Sequence, residues 1–102
     1  MGKVADLGPG TMKSVTADGH TLLLANVEGT VYALDGLCSH RQGVLADGQL
    51  EGYAVRCPRH GAQFDVRTGK VLSNVRIPLI GKAVDQKTYP ARVDGEDILV
   101  DL

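Results

Sequence analysis

Short runs of apolar and β-branched residues alternate along the chain with Asp-Gly and Glu-Gly pairs. Residues 21–27 form one strand-length apolar run and residues 30–34 form another, and the Glu-Gly pair between them predicts a hairpin. Residues 91–93 and 98–100 predict a second hairpin, and residues 53–56 alternate like a half-buried strand. No segment has the apolar period of about 3.6 residues that a surface helix shows. The pattern therefore predicts an all-β fold, an antiparallel β-sandwich or barrel.

Length and charge limit the class of protein. The chain has 102 residues, enough for one hydrophobic core and one domain. Its formal net charge is −1 at pH 7 and it has no basic run, so we expect no nucleic-acid partner. The longest apolar run is far shorter than the roughly 20 residues of a membrane helix, and the first residues lack the apolar segment of a signal peptide. We therefore expect a cytoplasmic protein without a membrane partner.

Both cysteines and two of the three histidines lie in two short segments. Cys38 and His40 frame the sequence Cys-Ser-His, and Cys57 and His60 frame Cys-Pro-Arg-His. Each segment offers one thiolate and one imidazole, and four such ligands suit a structural zinc ion or one kind of iron–sulfur cluster. A disulfide between the cysteines is the other interpretation, and the lack of an export signal disfavours it. The third histidine, His20, follows an Asp-Gly pair, which predicts a turn or surface position.

The residues around the second segment narrow the choice. Gly61 follows His60 directly, Phe64-Asp65 comes next, and Thr68-Gly69 looks like a turn that anchors the loop. With the Cys-x-His and Cys-Pro-x-His segments, this pattern resembles that of Rieske 2Fe-2S proteins, in particular the small soluble, low-potential Rieske-type ferredoxins. The resemblance covers nearly the whole chain.

The resemblance implies a fold and a site. The fold would be a single Rieske domain over residues 1–102, with a cluster-binding subdomain of about residues 37–72 inserted into a base of antiparallel strands. The site would hold one 2Fe-2S cluster per chain, with no catalytic residue. By this resemblance, the thiolates of Cys38 and Cys57 would bind the inner iron. The imidazoles of His40 and His60 would bind the outer iron.

The ligand set implies a reduction potential above that of plant-type ferredoxins. Neutral imidazoles replace two thiolates, so the oxidised core is formally neutral and accepts an electron more readily; Rieske centres span about −150 to +300 mV, against about −400 mV for plant-type ferredoxins. High-potential relatives place hydroxyl donors where this chain has Ala62 and Phe64. We expect a potential at the low end of the Rieske range because hydrogen bonds to the sulfurs stabilise the reduced state.

The resemblance also implies a function. We expect a monomeric one-electron carrier that accepts electrons from a flavin-containing NAD(P)H reductase and passes them to a terminal Rieske oxygenase or a similar acceptor. Two alternatives belong to other classes: a Rieske-like small subunit of a nitrite reductase, and a structural zinc module that uses the same Cys2His2 set. Intact ligand positions favour the carrier, and a visible absorption and EPR spectrum separates iron–sulfur from zinc, since zinc has neither colour nor redox chemistry.

Overall fold

A computed structural model describes residues 6–37, 44–58, 62–73 and 85–101. Within those ranges the regular structure consists mainly of short antiparallel strands, with a 3₁₀ helix at Leu45–Asp47. The strands are β1 (Thr11–Ala17), β2 (His20–Val27), β3 (Thr30–Asp35), β4 (Gln49–Glu51), β5 (Ala54–Arg56), β6 (Gln63–Asp65), β7 (Val71–Ser73), β8 (Thr88–Tyr89), β9 (Ala91–Asp94) and β10 (Asp97–Val100). The predicted all-β, antiparallel fold class is confirmed.

The first sheet contains four strands in the order β1-β2-β3-β8. Strands β2 and β3 form the predicted hairpin, with Val27 opposite Thr30 at its end. The two turn residues, Glu28 and Gly29, have φ values of 54° and 92°. Positive φ at both positions matches the right-handed twist of the flanking strands, which explains why a Glu-Gly pair joins them.

The second sheet contains β4, β5, β6 and β7 in that order, and each neighbouring pair is antiparallel. All four strands have three residues. Strands β9 and β10 form the second predicted hairpin, in which Asp94 lies opposite Asp97. Pro90 separates β8 from β9, a position where its missing N–H interrupts no pairing within either strand.

Strand β2 is buried on both faces, which explains its unbroken apolar sequence. Leu23 and Ala25 point into a core cluster that also contains Val55 and Phe64 from the second sheet. Leu24, on the opposite face, points into a separate cluster with residues of β3, β8 and β10. The alternation follows from the two-residue period of a strand. In the described ranges, the structure has no helix long and apolar enough to cross a membrane.

Candidate metal centre

The second ligand segment occupies the loop of the β5–β6 hairpin. Arg56 pairs with Gln63, and one residue further the backbone N–H of Cys57 donates to the carbonyl oxygen of Ala62 at 2.8 Å. Residues 57 and 62 therefore close the loop, and the chain between them contains His60. His60 lies outside the described residues, so its predicted ligand role stays a prediction.

The base of this loop is apolar and closely covered. Cys57 is only 3% exposed, carries a free thiol and packs in the same core cluster as Val55, Ala62 and Phe64. A thiolate buried among apolar side chains is costly unless a positive charge lies beside it. A bound iron would supply that charge, so the position of Cys57 at the base of a closed hairpin loop is compatible with the predicted ligand role.

Backbone pairing also closes the loop that contains the first ligand segment. Leu37 and Val44 form an isolated antiparallel bridge, and the N–H of Leu45 donates to the carbonyl oxygen of Gly36 at 2.9 Å. The chain that leaves at Leu37 and returns at Val44 contains Cys38 and His40. Both lie outside the described residues, and their ligand roles also remain predictions.

The residue that follows the base of the first loop packs in the same hydrophobic core as the base of the second loop. Leu45, directly after the first loop, is fully buried in the cluster that contains Cys57 and Ala62. The backbone is close as well, because a Cβ placed on Gly48 would lie 1.8 Å from the carbonyl oxygen of Arg56. Both ligand segments therefore leave from neighbouring parts of one packed unit, although the structure does not describe the four ligands together.

The predicted anchoring turn after β6 is present. The backbone oxygen of Asp65 accepts hydrogen bonds from the N–H groups of Thr68 (3.3 Å) and Gly69 (2.6 Å). Its carboxylate accepts bonds from the backbone N–H of Arg67 (2.8 Å) and from the guanidinium atoms Nε (3.1 Å) and Nη2 (2.9 Å). The hydrogen bond from the Arg67 side chain is the main reason that the pKa of Asp65 lies below its usual value, while burial partly opposes the shift. The guanidinium carbon lies 4.0 Å from the centroid of the Tyr53 ring, which ties the turn to the start of β5.

Other predicted positions agree with the structure. His20 is the exposed first residue of β2, opposite Ala17, as expected for a surface histidine. Ala62 and Phe64 are fully buried and bring no hydroxyl group to the second loop. The sequence did not point to Asp35, Gln86 and Tyr89, whose side chains or backbones join β3 to the segment after residue 84.

Comparison with known proteins identifies the family. The chain matches the Rieske [2Fe-2S] domain over residues 1–90. It is 38% identical over 97 residues to the ferredoxin component of the naphthalene 1,2-dioxygenase system of Pseudomonas aeruginosa, with 95% of this chain and 88% of that protein covered. The ferredoxin of carbazole 1,9a-dioxygenase from Nocardioides aromaticivorans IC177 has the same fold, with a TM-score of 0.85, 31% identity, and coverage of 97% of this chain and 91% of that chain.

A fourth similarity concerns a protein complex. A structure of reduced oxygenase and oxidised ferredoxin in carbazole 1,9a-dioxygenase contains a chain that matches with a TM-score of 0.85 and 29% identity, over 97% of this chain and 96% of that chain.

These similarities decide between the interpretations left open by the sequence. A Rieske domain binds a 2Fe-2S cluster, so the iron–sulfur interpretation is confirmed in place of the zinc module. The related proteins are ferredoxin components of dioxygenase systems, which carry electrons and leave catalysis to another component. This chain thus belongs to the Rieske 2Fe-2S family and is a ferredoxin-type one-electron carrier, not an enzyme.

Proposed function

We propose that Cys38 and Cys57 bind one iron of the cluster and that His40 and His60 bind the other. The observation that carries this assignment is the buried, free thiol of Cys57 at the closed base of the β5–β6 loop, in one core with the residue that follows the first loop. Further support comes from the sequence, in which Cys38 and Cys57 are the two cysteines and match the two thiolates that a Rieske cluster needs.

The bound cluster supplies the one-electron chemistry, and the protein supplies its environment. Two observations support a fixed separation of the ligand segments: each loop base is tied by backbone hydrogen bonds, and Leu45 packs in the same core as Cys57 and Ala62. Apolar residues pack around Cys57 and would keep water from that side of a bound cluster. We propose that residues of about 37–72 act as a cluster-binding subdomain on the sheet formed by β1, β2, β3 and β8.

We further propose that the donor is a flavin-containing NAD(P)H reductase and the acceptor a terminal Rieske oxygenase. Support comes from relatives that are ferredoxin components of aromatic-ring dioxygenase systems and from the related ferredoxin found in complex with its oxygenase. The same relatives favour this role over a subunit of a nitrite reductase. We propose a monomer, and a cytoplasmic location because an NAD(P)H-dependent donor draws on the cytoplasmic nucleotide pool.

Spectra of matched variants test the ligand assignment. The reduced protein should give the EPR signal of a Rieske centre, and Cys57→Ser should lose most of its cluster, measured as iron and sulfide per chain. Histidine-to-cysteine substitution at 40 or 60 should keep some cluster and lower its potential, because a charged thiolate replaces a neutral imidazole. His20→Gln is the control and should behave like the unmodified protein. An unchanged potential in both His-to-Cys variants would disprove the assignment.

A further inference from the structure

Gln86 is a buried polar residue that binds the backbone just before the first ligand segment. It is 5% exposed, and its amide nitrogen Nε2 donates to two backbone carbonyl oxygens, those of Leu37 (2.8 Å) and Asp35 (3.0 Å). Leu37 is the residue immediately before Cys38. Both hydrogens of the amide are therefore used to hold the strand end from which the first loop departs.

The backbone of Gln86 is fixed from the other side. Its N–H donates to the carbonyl oxygen of Gly69 at 2.7 Å, in the turn that follows β6. Gly69 has a φ of 77°, and a Cβ at this position would lie 1.9 Å from the carbonyl oxygen of Gln86. A side chain there would force the two segments apart. Gln86 is thus held against the turn between β6 and β7, while its side chain reaches Leu37 at the stem of the first loop.

The side chain of Gln86 extends the pairing between β3 and β8. Ala33 pairs with Tyr89 and Leu34 with Thr88, and the N–H of Asp35 donates to the carbonyl oxygen of Lys87 at 2.8 Å. At the next step the amide group of Gln86 takes the place of a backbone donor. Leu37 is the last described residue before the first ligand segment, and the side chain of Gln86 sets the direction of its carbonyl group.

We propose that Gln86 is a positioning residue for the cluster. Its carboxamide fixes the Leu37 carbonyl and hence the backbone that carries Cys38, and its backbone links this point to the turn behind the second loop. The inference rests on the proposed ligand role of Cys38. A buried amide N–H without an acceptor destabilises the folded protein. Movement of either carbonyl away from Nε2 of Gln86 therefore costs free energy, which keeps the backbone at Asp35 and Leu37 in place.

A matched pair of variants separates positioning from general stabilisation. Gln86→Met keeps similar size and removes both donors. Tyr89→Phe removes another bond between the same two segments, from the Tyr89 hydroxyl to Oδ1 of Asp35 (2.7 Å), and leaves Leu37 untouched. We expect Gln86→Met to lose its cluster at least about fivefold faster than the unmodified protein in the presence of an iron chelator, while Tyr89→Phe stays within about twofold. The EPR g values of reduced Gln86→Met should also shift or broaden.

Two further variants keep the outcome decisive. If Gln86→Met does not fold, Gln86→Asn replaces it, because its amide is one methylene too short to reach both carbonyls. Equal rates of cluster loss and unchanged EPR spectra in the Gln86 and Tyr89 variants would overturn the proposal. Cys38→Ser separates this failure from that of the ligand assignment: a native cluster in Cys38→Ser refutes the ligand role, whereas loss of the cluster there with unaffected Gln86 variants refutes only the positioning role.

Discussion

At the scale of single residues, the ion pair between Asp65 and Arg67 makes the turn behind the second loop sensitive to acid. The pKa of Asp65 is lowered in the folded protein, mainly by its hydrogen bond to the Arg67 side chain. A depressed carboxyl pKa contributes stability that is complete above the unfolded value of about 3.9 and is lost as pH falls through the lower folded value.

Asp65→Asn should therefore lower the urea concentration at half-unfolding by a constant amount above about pH 5, and the difference from the unmodified protein should shrink below about pH 4. Far-UV circular dichroism of the oxidised protein at several pH values measures it. Asp101→Asn, at an exposed carboxylate, is the control and should have little effect at any pH. A difference that grows on acidification would contradict a lowered pKa of Asp65 in the folded protein.

Like Phe64, Ala62 brings no hydroxyl group to the second loop. It is fully buried, directly follows Gly61, and its carbonyl accepts the N–H of Cys57. With no hydroxyl at residues 62 and 64, we expect a midpoint potential nearer about −150 mV than about +300 mV.

Ala62→Ser should raise the midpoint potential by about 40 mV, the equivalent of one net hydrogen bond of about 1 kcal/mol for a one-electron couple. Ala91→Ser adds the same hydroxyl beside the other core cluster, away from both ligand segments, and should leave the potential nearly unchanged. Redox titration followed by circular dichroism measures both. A potential of the unmodified protein above about +100 mV would contradict the explanation from missing hydroxyls.

At the scale of elements, β2 is the strand on which both core clusters depend. Leu23 belongs to the cluster shared with the second sheet, and Leu24 belongs to the cluster on the other face. Both side chains are fully buried. The strand therefore joins the base of the candidate centre to the rest of the fold.

Leu23→Ala and Leu24→Ala should each lower the free energy of unfolding by about 2–5 kcal/mol, because each leaves a cavity in a packed core. Val93→Ala, at a side chain that is 46% exposed, should change it by about 0.5 kcal/mol or less. Chemical denaturation provides the comparison. If Leu24→Ala were as mild as Val93→Ala, the second face of β2 would not be a core.

The strands differ in how far the sequence predicts them. The run at residues 21–27 is plain because both faces of β2 are buried, and the two hairpins follow from their turn pairs. The sequence does not indicate β1, an edge strand in which polar residues mix with partly buried ones. Strands of two or three residues, such as β6 and β8, are too short to show a period.

The residues of the candidate site also differ in how far the sequence predicts them. Residue type and spacing point to the two Cys-His segments because metal chemistry depends on those side chains directly. Gln86 has no such signal, since the two carbonyls that it holds belong to residues 49 and 51 positions earlier. A glutamine near a polar segment is unremarkable in sequence, and only the fold brings it to the stem of the first loop.

At the scale of the whole molecule, each of the two four-stranded sheets carries the stem of one predicted ligand segment. The sheet of β1, β2, β3 and β8 supplies the end of β3, from which the first ligand segment departs, and the second sheet supplies the hairpin loop of the second. A shared core and the Gln86 tie connect them. The fold therefore holds the stems of the two predicted ligand segments, which are distant in sequence, against one packed unit.

The most direct test of the proposed ligand set is pulsed EPR of reduced protein labelled with ¹⁵N-histidine, which counts the histidine nitrogens bound to the cluster. We expect couplings from two histidines, both kept in His20→Gln and one lost in His60→Cys or His40→Cys. Fewer than two coupled histidines in the unmodified protein, or the loss of one in His20→Gln, would contradict the proposed ligand set.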